Sequence, residues 1–88
     1  MQNRVLLIED DDELRELLAR YLTGQGFIVR EAANGHAGLA LARGQDCDIV
    51  VLDIMLPDIN GLDVLRELRK DTHLPVILLT ARGDETDR

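Results

Sequence analysis

Glu9, Asp10, Asp53 and Thr80 are the residues of this sequence placed to do chemistry. Each follows a short apolar run: Val5-Leu6-Leu7-Ile8 precedes the first two acids, Ile49-Val50-Val51-Leu52 precedes Asp53, and Val76-Ile77-Leu78-Leu79 precedes Thr80. Runs that are apolar without alternation suit strands buried on both faces of a parallel sheet. In an open sheet of that kind, ligands bind outside the carboxyl ends of the strands, where all of these residues stand. Carboxylates brought close together repel one another, and unless they are neutralised at least one pKa rises. A divalent cation removes the conflict, and hard oxygen ligands with open water positions favour Mg2+ or Mn2+. Such a cation also lets a phosphoryl donor approach, so that Asp53 can act as a nucleophile and become an aspartyl-phosphate. Thr80 can donate a hydrogen bond to a phosphoryl oxygen. Blander roles exist for each residue taken alone: acids after a strand cap helices, and a hydroxyl at a strand end forms turns. Convergence at three adjacent strand ends is what favours a site.

The elements that must position these residues alternate strand and helix. After the acidic run Glu9-Asp10-Asp11-Asp12-Glu13, residues Leu14, Leu17, Leu18, Tyr21 and Leu22 recur at helical spacing and predict an amphipathic first helix. Asp11 or Asp12 caps it, and Gly24 and Gly26 end it. Phe27-Ile28-Val29 starts a second strand, whose Arg30 and Glu31 indicate a more exposed position. Asn34 caps a second helix that carries Ala37, Ala40 and Leu41 inward and stops near Gly44. The third strand ends at Asp53. Past the turn pair Asn60-Gly61, residues Leu62, Val64, Leu65 and Leu68 mark a third helix reaching about Lys70. Pro75 introduces the fourth strand, and Gly83-Asp84-Glu85 begins a fourth helix. This order with short loops implies an α/β fold: a doubly wound parallel sheet with right-handed crossovers and helices on both faces. The flavodoxin-like order 2-1-3-4 would set strands 1, 3 and 4 side by side and bring their carboxyl ends together.

Composition excludes several classes of partner. A net charge of −7 argues against a nucleic-acid or anionic-membrane surface. An aromatic fraction of 2% beside a hydrophobic fraction of 45% makes the expected core aliphatic. Eighty-eight residues make one domain, and the lone Cys47 cannot form an internal disulfide. No cleavable signal and no apolar run of spanning length is seen, so the expected setting is the cytoplasm, with no membrane contact. His36 and His73 lack partners at ligand spacing, Cys47 reads as a semi-buried spectator, and Arg66, Arg69 and Lys70 read as a solvated helix face.

Leu7-Ile8-Glu9-Asp10-Asp11, Val51-Leu52-Asp53 with Pro57 and Gly61 downstream, and Leu79-Thr80-Ala81-Arg82 together resemble the receiver domain of two-component response regulators. The motifs are in order and spread over the whole sequence, and residues 79–88 are most similar to OmpR-type, CpxR-like transcriptional regulators. The resemblance implies that Asp53 is the phosphoacceptor and that Asp10 binds Mg2+ (or Mn2+) directly, with Asp53 and the backbone carbonyl of Met55 as further ligands. Glu9 would contribute through bound water. Thr80 would be the switch hydroxyl, Ala81 the small residue that leaves it room, and Pro57 and Gly61 would shape the loop over the site. The implied phosphoryl donor is a sensor histidine kinase, and the implied activity is regulatory, with at most self-phosphotransfer and self-dephosphorylation. DNA would be reached only through a C-terminal effector domain. The family also has a fifth strand with a lysine at its start, an aromatic switch residue and a fifth helix. Residues 1–88 are therefore expected to be the N-terminal (βα)4 portion of a receiver, ending at the start of the fourth helix. An exposed apolar strand 4 edge would then favour a homodimer, by edge pairing or by domain swapping.

Two other readings remain open at this stage. A phosphorylation-independent interaction or dimerisation module is compatible with the missing pocket lysine. A metal-dependent phosphatase with an Asp nucleophile is disfavoured, because Met55 stands two residues after Asp53, where that chemistry places a second acid.

Overall fold

A computed structural model describes residues 3–44 and 47–79. Thr80, Ala81 and the start of the expected fourth helix lie outside the described residues. The described chain runs β1 (Arg4–Ile8), α1 (Asp12–Gly24), β2 (Ile28–Ala32), α2 (Gly35–Arg43), β3 (Ile49–Asp53), α3 (Gly61–Asp71) and β4 (Val76–Leu79). The strands form one sheet in the order β2-β1-β3-β4, with each neighbouring pair parallel, as the flavodoxin-like reading expects.

Strand alternation sorts the aliphatic side chains between two faces. Leu6 and Ile8 of β1 and Val50 and Leu52 of β3 join Leu39 and Ala42 of α2 and Val64 and Leu68 of α3 in one core. Val5 and Leu7, buried and of opposite parity, serve the other face, where α1 packs on β1 and β2. On the first face α2 comes close to the sheet, since a Cβ at Gly38 would lie 2.7 Å from Ile8 Cγ1. At the amino ends of the strands Arg4 and Asp48 tie β1 to the start of β3, through the Arg4 N–H at 2.9 Å and the guanidinium at 3.3 Å from Asp48 Oδ2.

The helices form where periodicity places them, with the caps it names. Asp11 accepts from the N–H groups of Glu13 and Leu14, and Asn34 from that of Ala37. The inward faces differ from expectation. Leu17 and Tyr21 of α1 are 59% and 62% exposed, while Ala19 is buried and Leu14, Leu18 and Leu22 are half-buried. The predicted stripe is wider than the contact α1 makes with β1 and β2, so only one edge of it reaches the sheet. Of the α2 residues expected to face inward, Leu41 packs half-buried against the core but Ala37 and Ala40 are exposed, and Gly38, Leu39 and Ala42 are buried instead. Alanines recur on several sides of this helix and carry too little apolar area to fix its rotation. In α3 Val64 and Leu68 are buried, and Leu62 stands out on the surface. Cys47 belongs to the core and is more buried than its flanking position suggests. Among the described residues, no helix is long and apolar enough to cross a membrane.

Candidate functional site

Pairing of β1 with β3 sets Ile8 beside Leu52, and the residues that follow each strand therefore meet. Carboxylate oxygens of Glu9, Asp10 and Asp53 all lie within 4.8 Å of one another. Glu9 and Asp53 are each only 2% exposed, and Asp10 is partly buried. Backbone groups satisfy some of these oxygens: Asp11 N–H donates to Glu9 Oε2 at 3.0 Å, and Met55 N–H to Asp53 Oδ1 at 3.2 Å. Among the described residues, Asp10 Oδ1 and Asp53 Oδ2 are buried with no hydrogen-bond partner. Burial pushes the Glu9 carboxyl above its usual range, and the charges of Asp53 and Asp10 push the same way against the Asp11 N–H. Orphaned anionic oxygens in a buried acid cluster are costly unless a cation meets them. Hard oxygen donors, two of them lacking partners, fit Mg2+ or Mn2+.

The loop of residues 54–60 covers one side of this cluster. Together with Asp10 it lines a cleft of about 420 Å³ that includes Met55, Pro57 and Asn60. Its closure depends on Gly61, whose N–H donates to the Ile54 carbonyl at 2.8 Å. A Cβ at Gly61 would sit 2.6 Å from Ile54 Cα and against the Asp53 carbonyl, so a side chain there would push the loop off the strand. Asn60 begins α3 by accepting from Leu62 N–H at 2.7 Å. On the outer side, Asp58 accepts from Gly35 N–H at 2.8 Å and from His36 N–H at 3.0 Å. Partial burial pushes the Asp58 carboxyl up, but the N–H groups of His36, Gly35 and Ile59 win and hold it below the usual range.

Arg15 reaches the cluster from α1. Its Nη1 donates to the Glu9 carbonyl at 2.8 Å, its Nη2 to Asp12 Oδ1 at 2.7 Å and its Nε to Glu31 Oε1 at 3.2 Å. The Asp12 carboxylate, helped by Glu31, raises the Arg15 pKa against the effect of burial. The guanidinium thus fixes the backbone at the end of β1 and ties it to α1 and β2.

Of the residues singled out from the sequence, Glu9, Asp10, Asp53 and Met55 come together, and Thr80 lies outside the described residues. The acid cluster is the one grouping of three metal-capable side chains among the described residues. His36 is exposed, with Nε2 3.9 Å from Asp58 Oδ2, and His73 is exposed in the loop before β4. Arg66 and Lys70 pair with Asp63 and Glu67 on the surface of α3. Residue patterns do not single out Arg15 or Asp58, because the bond that ties Arg15 to the site ends on the Glu9 carbonyl and those of Asp58 end on backbone N–H groups, which have no signature in residue type. Gly35 is the one available hint, since a glycine opening a helix can mark a close approach.

The family model for the response regulator receiver domain matches residues 5–88. The chain belongs to that family, the phosphorylation-dependent signalling receivers of two-component systems. It is 53% identical over 83 residues to the transcriptional regulatory protein AfsQ1 of Streptomyces coelicolor, a match covering 94% of this chain and 37% of that protein. It is 40% identical over 88 residues to the transcriptional regulatory protein SrrA of Staphylococcus aureus, covering all of this chain and 36% of that one. Among solved structures, response regulator protein TrrA of Thermotoga maritima in complex with Mg2+-BeF superposes with a TM-score of 0.86 at 38% identity, over 97% of this chain and 77% of that one. The chain spans little more than a third of the length of these two curated relatives.

Proposed function

We propose that Asp53 is the phosphoacceptor of this receiver, and that Asp10, Asp53 and the Met55 backbone carbonyl hold a Mg2+ or Mn2+ ion, with Glu9 acting through water. The observation that carries this reading is the pair of buried carboxylate oxygens, Asp10 Oδ1 and Asp53 Oδ2, left without partners inside a three-acid cluster. A bound divalent cation would offset the negative charge of the carboxylates and of the incoming phosphoryl oxygens. Met55 N–H holds Asp53 Oδ1 and so fixes the carboxylate beside those of Glu9 and Asp10. An Asp53 oxygen then attacks the phosphorus of a phosphohistidine on a sensor histidine kinase. The P–O bond forms as the P–N bond breaks, and the leaving imidazole nitrogen keeps the electron pair and takes up a proton. Self-phosphotransfer from small acyl phosphates and self-dephosphorylation use the same acids. The Thr80 hydroxyl follows the phosphoryl group as the switch.

The parent protein, on this reading, is a cytoplasmic OmpR-type regulator that homodimerises and reaches DNA through a separate effector domain. Support comes from the names of its relatives, both transcriptional regulatory proteins, and from the share of their length that this chain covers. Incubation of the intact protein with Mg2+ and a small acyl phosphate is expected to add one phosphoryl group by mass. Asp53→Ala is expected to abolish the addition; an unchanged adduct in that variant overturns the assignment.

A further inference from the structure

Asp58 stands outside the acidic cluster, on the outer shoulder of the 54–60 loop, and a different element engages its carboxylate. Oδ1 accepts from Gly35 N–H at 2.8 Å and from Ile59 N–H at 2.9 Å, while Oδ2 accepts from His36 N–H at 3.0 Å. Gly35 and His36 are the first two residues of α2, so the carboxylate sits on the positive end of that helix. The helix already has its own cap: Asn34 Oδ1 accepts from Ala37 N–H at 2.8 Å. What the second cap adds is a tie to the loop.

Packing reinforces that tie. The Ile59 side chain occupies the place a Cβ would take at Gly35, and Val64 Cγ2 lies 3.1 Å from the same point. The inner shoulder of the loop is fixed by Gly61 N–H on the Ile54 carbonyl and by Met55 N–H on Asp53. The hydrogen bonds described for residues 57–59 all run through the Asp58 carboxylate. Release of that carboxylate would leave residues 57–59 without the hydrogen bonds that tie them to α2, held by the packing of Ile59 and by Asn60 at the start of α3.

We infer that Asp58 is a positioning residue for the Asp53 site: it clamps the loop carrying Met55 onto the start of α2 and thereby couples cation binding to the β2–α2 corner. The inference rests on the proposed role of the Met55 carbonyl as a ligand. A loop held in place beforehand need not be ordered when the ion binds, whereas a released loop must be, and the cost appears as lost affinity. Coupling of this kind is reciprocal, so ion binding also tightens the contact with α2.

Mg2+ titration by calorimetry of the intact protein tests the clamp. Asp58→Ala is expected to weaken Mg2+ binding about tenfold, the size typical for residues that orient metal ligands. Asp58→Asn, which retains one acceptor oxygen, is expected to fall between that variant and wild type. Asn34→Ala removes the helix's own cap without touching the loop, and is expected to lower the melting temperature while leaving Mg2+ affinity unchanged. The deficit in acyl-phosphate uptake of Asp58→Ala is expected to vanish at saturating Mg2+. Wild-type affinity in Asp58→Ala overturns the clamp, and so does an equal loss in Asn34→Ala, which would trace the effect to helix stability. Mg2+ binding that Asp10→Asn leaves intact overturns the site reading itself, a separate pattern that takes the clamp with it.

Discussion

At the scale of single residues, burial raises the Glu9 carboxyl and the charges of Asp53 and Asp10 push the same way, in the same cluster that leaves Asp10 Oδ1 and Asp53 Oδ2 without hydrogen-bond partners. Glu9→Gln keeps an acceptor for Asp11 N–H and removes one of the charges. In chelated protein it is expected to raise stability by about 1 kcal/mol, which moves the midpoint of a small domain by roughly 4–8 °C. The pH dependence carries the same sign. The folded Glu9 carboxyl titrates above its unfolded value of 4.5, so its favourable contribution is complete below that value and is lost as pH rises through the folded one. Thermal melts of chelated wild type should therefore lose stability through the weakly acidic range, more steeply than those of Glu9→Gln. The acids were legible in the sequence because each closes an apolar run. Arg15 was not, because its partner at the site is a backbone carbonyl that any residue could supply.

At the scale of elements, two glycines make opposite predictions. Gly61 packs against the backbone of Asp53 and Ile54, which cannot rotate away. Gly61→Ala is expected to destabilise the fold by about 1–3 kcal/mol in urea titrations. Gly24, the last residue of α1, has nothing within 4 Å of the place a methyl group would take, and its φ is not positive. Gly24→Ala is expected to stabilise by about 0.5–1 kcal/mol, through helix propensity and a less free unfolded chain. Helix caps and lengths were legible because capping side chains and apolar periods are local. The faces were legible only in part. In α1 the sheet takes Leu14, Leu18 and Leu22 but not Leu17 or Tyr21, and in α2 it takes Leu39 and Ala42 but not Ala37 or Ala40.

At the scale of the molecule, the site exists only because two strands 44 residues apart are neighbours, with Val5 paired to Ile49 and Ile8 to Leu52. An ion held across their ends should bind the folded chain and not the unfolded one. Mg2+ at about a hundred times its dissociation constant is then expected to add about 2.7 kcal/mol of stability. Chelation should reverse the gain, and Asp10→Asn should show neither effect. A melting temperature indifferent to Mg2+ in wild type would count against the three-acid site.

Residue types and their spacing determined the alternation of strand and helix, the helix caps, and which acids end the apolar runs, because each of these is a property of a few neighbouring residues. Resemblance of the motifs around Asp10, Asp53 and Thr80 carried the reading as far as the receiver family. Helix rotation depends on how much sheet each helix meets, as Leu17 and Ala37 show by facing solvent. The bonds of Asp58 to Gly35 and His36 cross more than twenty residues and end on backbone N–H groups, so no pattern in the sequence announces them. Only packing α2 beside α3 on one face of the sheet brings those groups within hydrogen-bonding reach.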